Sequence, residues 1–252
     1  MNTRTLPSTS VRSVLLAFSA LVACLTLAPA HAAPDALEPP REDQPASAKP
    51  IDPVFKPVKD VPGLPRVLLI GDSISMGYTL QVRELLKGKA NVHRPPANCG
   101  QTERGLQHLD EWLGTGHWDV IHFNFGLHDL KYLDEHGQYV APEKGKQVAP
   151  LPLYEKNLRE LVARLKKTGA RLIWCSTTPV PDGTLGRIKG DEVAYNEVAE
   201  RVMKDNDVAI DDLHALIAPH QAEWQRPKNV HFTPEGYQHL AAQVAASIEK
   251  QL

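Results

Sequence analysis

The run Val67-Leu68-Leu69-Ile70 passes directly into Gly71-Asp72-Ser73-Ile74. Four consecutive apolar residues without polar alternation predict a strand buried on both faces, as in a parallel sheet. Gly-Asp-Ser breaks the run. Residues 75–87 then read as a helix, with Leu80, Leu85 and Leu86 among its apolar positions. The same alternation continues downstream. Residues 91–94 predict a short strand, and 103–113 a helix through Leu106, Leu109, Trp112 and Leu113. Residues 119–125 (DVIHFNF) predict the next strand. Residues 153–167 predict an amphipathic helix with Leu158, Leu161, Val162 and Leu165 on one side, closed by Gly169. Residues 171–177 (RLIWCST) form a further strand stopped by Pro179 and Pro181. A helix over 191–206, a short strand over 208–210 and a last helix over 233–251 complete the pattern. Thr233 suits the N-cap of that helix and Pro234 its first turn. No internal repeat is evident. Strands alternating with helices at this spacing make βαβ units, hence an α/β fold with a mainly parallel sheet covered on both faces. Ligands of such sheets bind beyond the carboxyl ends of the strands.

The chain has 252 residues, 42% hydrophobic and 23% charged. That excludes collagen-like, fully disordered and multi-pass membrane classes and leaves enough chain for a full core. Lys+Arg is 28 and Asp+Glu 30, a net charge of −2. The balance lacks the basic excess of a nucleic-acid binder. Arg4 and Arg12 precede an apolar run over 14–24, no acid occurs before Asp35, and Ala30-His31-Ala32 offers small residues for cleavage. This layout predicts a signal peptide over 1–32 and an exported protein, periplasmic or secreted, with no stable membrane span in the mature chain. Leu21-Val22-Ala23-Cys24 also resembles a lipobox, so a lipoprotein anchored through Cys24 is the alternative, although Leu25, Leu27 and Ala28 fit it poorly. Residues 33–65, rich in Pro and Ala, read as an extended linker. Residues 66–252 read as the folded domain. Beyond Cys24, Cys99 and Cys175 either pair or stay as buried thiols; the sequence leaves both open.

Reactive residues fall after the strands. Asp72 and Ser73 follow the first, Asn98-Cys99-Gly100 the second, and Gly126-Leu127-His128-Asp129 the third. Val230-His231-Phe232-Thr233-Pro234-Glu235-Gly236 opens the last helix. Each cluster alone is weakly specific, since Ser73 is also a plausible helix cap and a lone His is common. The ordered set resembles the SGNH (GDSL-type) hydrolase family, over residues from about 66 to the end of the chain. The resemblance implies a flavodoxin-like three-layer α/β/α sandwich and a serine esterase. It makes Ser73 the nucleophile and His231 the general base, with the Ser73 and Gly100 N–H groups holding the oxyanion.

Two positions depart from the family pattern. Where the family carries an oxyanion Asn, this chain has His128, whose imidazole N–H is a possible substitute donor. Where the family carries the Asp that orients the His, this chain has Lys228, a cation that accepts nothing. Asn229, Asp211, Asp212 or a backbone carbonyl remain as orienters. Asp211-Asp212-Leu213-His214 repeats the Asp-x-x-His spacing but lacks the Phe-Thr-Pro-Glu-Gly context and reads as a decoy. Asp72 is expected to bond backbone in its turn and Asp129 to anchor its loop. The segment 131–152 reads as a lid or substrate-selecting loop. The Trp residues are expected mainly in the core.

The remaining His and Cys show no metal-ligand spacing, and neither nucleotide glycine motif occurs, so no cofactor is expected. The favoured substrate is a small ester or acylated glycan, with acetyl esters of carbohydrate or envelope polymers foremost. Lysophospholipase or thioesterase chemistry is the nearest enzymatic alternative. A catalytically impaired carbohydrate-binding or envelope-interaction protein on the same fold is the alternative of another class. The oligomeric state is not legible.

Overall fold

The computed structural model describes residues 51–252. The expected signal peptide, Cys24 and most of the expected linker lie outside the described residues. The elements follow in chain order β1 (Arg66–Ile70), α1 (Ser73–Leu85), β2 (Asn91–His93), α2 (Thr102–Leu113) and β3 (Val120–Phe123). A small hairpin, β4 (Tyr132–Leu133) and β5 (Lys146–Gln147), precedes α3 (Leu151–Lys166), β6 (Arg171–Cys175), α4 (Asp191–Lys204) and β7 (Ala209–Asp211). The chain ends with α5 (Leu213–Ile217), α6 (Gln221–Trp224) and α7 (Pro234–Glu249).

The main sheet has five strands in the order β2-β1-β3-β6-β7, all parallel. Helices α1 and α7 pack on each other, and α2, α3 and α4 pack in a row, giving two helical layers around the sheet. The α/β three-layer sandwich read from the sequence is therefore present. Val67, Leu68, Leu69 and Ile70 are each at most 1% exposed, as a strand covered on both faces requires. Pairing runs past the formal ends of β3: Asp119 N–H donates to Arg66 O at 2.9 Å and Asn124 N–H to Ile70 O at 3.0 Å. That accounts for most of the longer strand expected over 119–125. Trp112, Trp118, Trp174 and Trp224 are all buried.

Helix α1 starts earlier than its apolar spacing suggests, because Asp72 caps it. Its Oδ1 accepts the Ile74 N–H at 2.9 Å. Thr233 caps α7 as expected, accepting the Gly236 N–H at 3.1 Å. Helices α5 and α6 and the hairpin are too short for a periodicity to reveal them. The described part of the stretch read as linker, residues 51–65, is laid against the domain. Val54 is 3% exposed, and the Asn91 amide bonds Val61 N–H at 2.8 Å and the carbonyls of Val61 and Leu64 at 3.1 Å. Cys99 and Cys175 are both buried free thiols. No helix among the described residues is long and apolar enough to cross a membrane.

Candidate active site

Strand β1 ends where the sheet's connections change direction: β1 is flanked by β2 on one side and β3 on the other. Its carboxyl end therefore opens onto a crevice. Gly71 makes the tight exit possible, since a Cβ there would stand 2.9 Å from Ser75. Ser73 follows as the first residue of α1, so its N–H has no intrahelical acceptor and lies at the positive end of the helix. A buried cation that sequence reasoning did not single out, Arg94, fastens this turn. It is 8% exposed and donates to Gly71 O and Ala97 O at 3.2 Å, to Ser75 Oγ at 3.1 Å and to Thr79 Oγ1 at 3.0 Å. One guanidinium thus joins the Ser73 turn to the loop that carries Asn98 and Gly100. Only its place after a strand distinguished it from a surface arginine in the sequence.

His231 arrives from the opposite end of the domain, on the loop before α7. Gln225 and Phe232 bridge across this loop, and Arg226 N–H donates to His231 O at 2.9 Å. The ring is placed with Nε2 2.8 Å from Ser73 Oγ and Nδ1 2.7 Å from Asn229 Oδ1. The same Asn229 oxygen accepts the His231 backbone N–H at 3.0 Å. Two donors converging on one oxygen fix the amide's orientation: turned over, its NH₂ would face the backbone N–H. Nδ1 therefore carries the ring hydrogen, and Nε2 presents a lone pair to the serine hydroxyl. Of the orienters left open by the sequence, Asn229 is the one at the ring.

The other acids are engaged elsewhere. Asp211 pairs with the buried His122 at 3.0 Å and with Gln243 at 2.8 Å. Asp212 caps α5 and accepts from Ser176 Oγ at 2.8 Å. His214 faces Glu192 at 3.4 Å, so the second Asp-x-x-His is spatially separate from Ser73 in its contacts. Lys228 adopts the left-handed conformation, with φ of 54°. Burial holds the His231 pKa below the ordinary histidine value. Asp72 opposes this, and Arg226 and Arg187 add to it.

The third candidate donor, His128, lines the same cleft as Ser73 and His231. The Lys131 ammonium lies 3.2 Å from its Nδ1 and must donate, having no lone pair. The imidazole hydrogen is then on Nε2, and the ring is a neutral N–H donor. Burial above all pushes its pKa down to about 4. Gly100 has φ of 66°, a conformation that favours glycine, and its N–H donates to Asn98 Oδ1 at 3.0 Å. That donor is occupied, whereas the Ser73 N–H meets no acceptor among the described residues.

Asp129 sits behind these loops and is fully buried. Its Oδ1 accepts the Thr102 N–H at 2.9 Å and the Thr102 hydroxyl at 2.5 Å. It thereby anchors the His128 loop to the start of α2, just after Gly100. Burial pushes its carboxyl up to about 7, against the two Thr102 bonds. The cleft above Ser73 has a volume of about 450 Å³, and Asn98, Tyr139, Thr184, Leu185 and Arg187 contribute to its wall. Tyr139 comes from the hairpin segment, so the loop read as a lid or selecting loop does reach the site.

This arrangement can pass a proton from a serine hydroxyl to an imidazole while presenting N–H donors beside it. The GDSL-like Lipase/Acylhydrolase family model matches residues 69–239. No curated protein matches the sequence. Among solved structures, the chain is similar to a lipase/acylhydrolase from Enterococcus faecalis, with a TM-score of 0.61, 19% identity, and 75% of this chain and 97% of that one covered. It is similar to Axe2, an acetylxylan esterase from Geobacillus stearothermophilus, with a TM-score of 0.59, 19% identity and coverage of 73% and 94%. The acetyl xylan esterase AlAXEase gives a TM-score of 0.59 at 17% identity, with coverage of 73% and 99%. At these identities the structural likeness concerns the fold, and the family match carries the assignment. The chain belongs to the GDSL-like lipase/acylhydrolase family and is an ester-hydrolysing enzyme.

Proposed function

We propose that this enzyme is an exported serine esterase that removes small acyl groups, acetyl foremost, from carbohydrate or cell-envelope polymers. The observation that carries the mechanism is the 2.8 Å contact between Ser73 Oγ and His231 Nε2, with Asn229 on the far ring nitrogen. The acetylxylan esterases among the structural neighbours support the substrate class, and the N-terminal sequence supports export.

Ser73 Oγ attacks the ester carbonyl as its proton moves to His231 Nε2. The oxyanion forms beside the Ser73 N–H and the His128 Nε2–H, and Gly100 contributes its N–H when Asn98 Oδ1 releases it. Collapse breaks the acyl–oxygen bond, and the Nε2 proton leaves with the alcohol. Water then attacks the acyl-serine, giving its proton to Nε2. The second collapse returns that proton to Ser73 and releases the acid. Throughout, Nδ1–H stays bonded to Asn229. A neutral amide sets the tautomer but offers the imidazolium no counter-charge, so the base is correctly aimed and weakly supported.

A fluorophosphonate reagent labels Ser73 in the folded protein, and 4-nitrophenyl acetate turnover falls by about 10³-fold or more in Ser73→Ala. Unlabelled, folded wild type with turnover equal to the variant would overturn the reading and favour a binding protein on this fold.

A further inference from the structure

Cations outnumber acids around the cleft. Arg187 and Lys228 line it beside Ser73 and His231, and Lys131 stands at its edge, bonded to His128 Nδ1 and to the Tyr139 hydroxyl at 3.4 Å. The single acid in the wall, Asp72, is 3% exposed and bonded to the Ile74 N–H. None of the three cations pairs with a carboxylate among the described residues. The chain as a whole is net negative, at −2, so composition does not explain a cationic cleft.

These cations are also placed. Arg187 Nε donates to Leu127 O at 3.0 Å, and its guanidinium lies 5.4 Å from the Tyr139 ring centre. Both Nη groups are left without a protein acceptor among the described residues. The preceding Gly186 is wedged under the hairpin: Tyr132 N–H donates to its carbonyl at 2.8 Å, and a Cβ on it would meet Tyr139 Cδ1 at 2.7 Å. The Lys228 stem lies over Gly183, where an added Cβ would stand 3.2 Å from Lys228 Cγ. A planar fork and an ammonium at one cleft, neither paired with a carboxylate among the described residues, have the charge and donors that a carboxylate or phosphate accepts from.

We propose that the ester cleaved at Ser73 is anionic: a carboxylate or phosphate borne on the substrate is held by Arg187 and Lys228 while its acyl group lies at the serine. The inference rests on the esterase reading above. Leu185, 65% exposed, and Tyr139 leave apolar surface beside the cations for the ring or chain that links the two groups. An acylated acidic glycan fits this description; a neutral one leaves the cations unused.

The test compares kcat/KM for 4-acetoxybenzoate and 4-acetoxyphenyl phosphate with that for the neutral methyl 4-acetoxybenzoate. Ratios are taken within each enzyme, so the esters' intrinsic reactivities cancel between wild type and variants. In Arg187→Gln/Lys228→Gln the anionic-to-neutral ratio falls about tenfold or more for at least one anion, and the anion affected identifies the group recognised. In wild type the same ratio falls as salt is raised to about 0.5 M. Lys228→Gln alone, at an exposed position, shows the same direction should the double variant fold poorly. Unchanged ratios in every variant, with the neutral ester still hydrolysed, overturn the anionic substrate and leave the esterase standing. Failure of all three esters together with failure of fluorophosphonate to label Ser73 overturns the esterase reading, and this inference with it.

Discussion

In the proposed mechanism a single residue, Asn229, orients the base, through its carbonyl oxygen. That oxygen holds both the ring and the backbone of His231. Removing it in Asn229→Ala frees the imidazole to take either tautomer and lowers kcat/KM about 10–100-fold, measured on 4-nitrophenyl acetate. Asn229→Asp puts a negative charge against Nδ1. The imidazolium is then favoured, the His231 pKa rises, and the acid limb of the kcat/KM profile moves to higher pH. An acid limb that moves down or stays would remove Asn229 from this role. Sequence spacing left Asn229 as one of several candidates, since the residue at the family's position is Lys228, which takes the left-handed conformation. The chain turns back at 228, and the next residue, not the one at the familiar spacing, meets the ring. Ser73 and His128 were legible as residues after strands and His231 as a residue opening the last helix; the Asx turn from Gly100 N–H to Asn98 Oδ1 was not drawn out, since Asn98-Cys99-Gly100 permits that turn without requiring it.

Asp129 gives a second prediction at this scale. Its folded carboxyl is pushed up to about 7, well above the unfolded value near 4. Between those values the unfolded chain releases its proton while the folded chain keeps it, so stability falls as pH rises from about 4 to 7. Above that range the full penalty, on the order of 4 kcal/mol, persists. Asp129→Asn keeps the acceptor for Thr102 and cannot ionise. Urea unfolding at pH 5 and pH 8 shows a smaller loss of stability in the variant than in wild type; equal losses would show that Asp129 is ionised without cost.

Among the elements, α1 and α7 hold the site together, one carrying Ser73 at its start and the other following His231. They approach closely because residue 77 has no side chain. A Cβ on Gly77 would lie 2.1 Å from Tyr237 Cε1. Gly77→Ala gains up to about 1 kcal/mol of helix propensity but displaces the Tyr237 ring, so the expected outcome is a net loss of about 1–2 kcal/mol in denaturant unfolding. Turnover falls with it, because the helices part where their leading ends meet. An unchanged unfolding midpoint would mean that Tyr237 swings aside freely. The long helices were readable from apolar periodicity and the five sheet strands from short apolar runs between turn residues. Helices α5 and α6 span about one turn each, and the hairpin strands are shorter than any alternation can mark.

Over the molecule, the boundary of the folded unit lies earlier than composition suggests. The Pro-rich character of 33–65 conceals Val54 and the backbone that Asn91 grips, because single buried contacts leave no periodic trace. Compared with a chain beginning at residue 51, one beginning at residue 65 strands the Asn91 amide and loses about 1–3 kcal/mol. Equal midpoints for the two would make the 51–65 contacts ornamental to stability.

The proposed nucleophile and base stand 158 residues apart along the chain. On the proposed mechanism, a polypeptide halted anywhere before residue 231 holds a serine with no imidazole beside it. Hydrolytic competence then requires the far end of the domain to seat against its beginning.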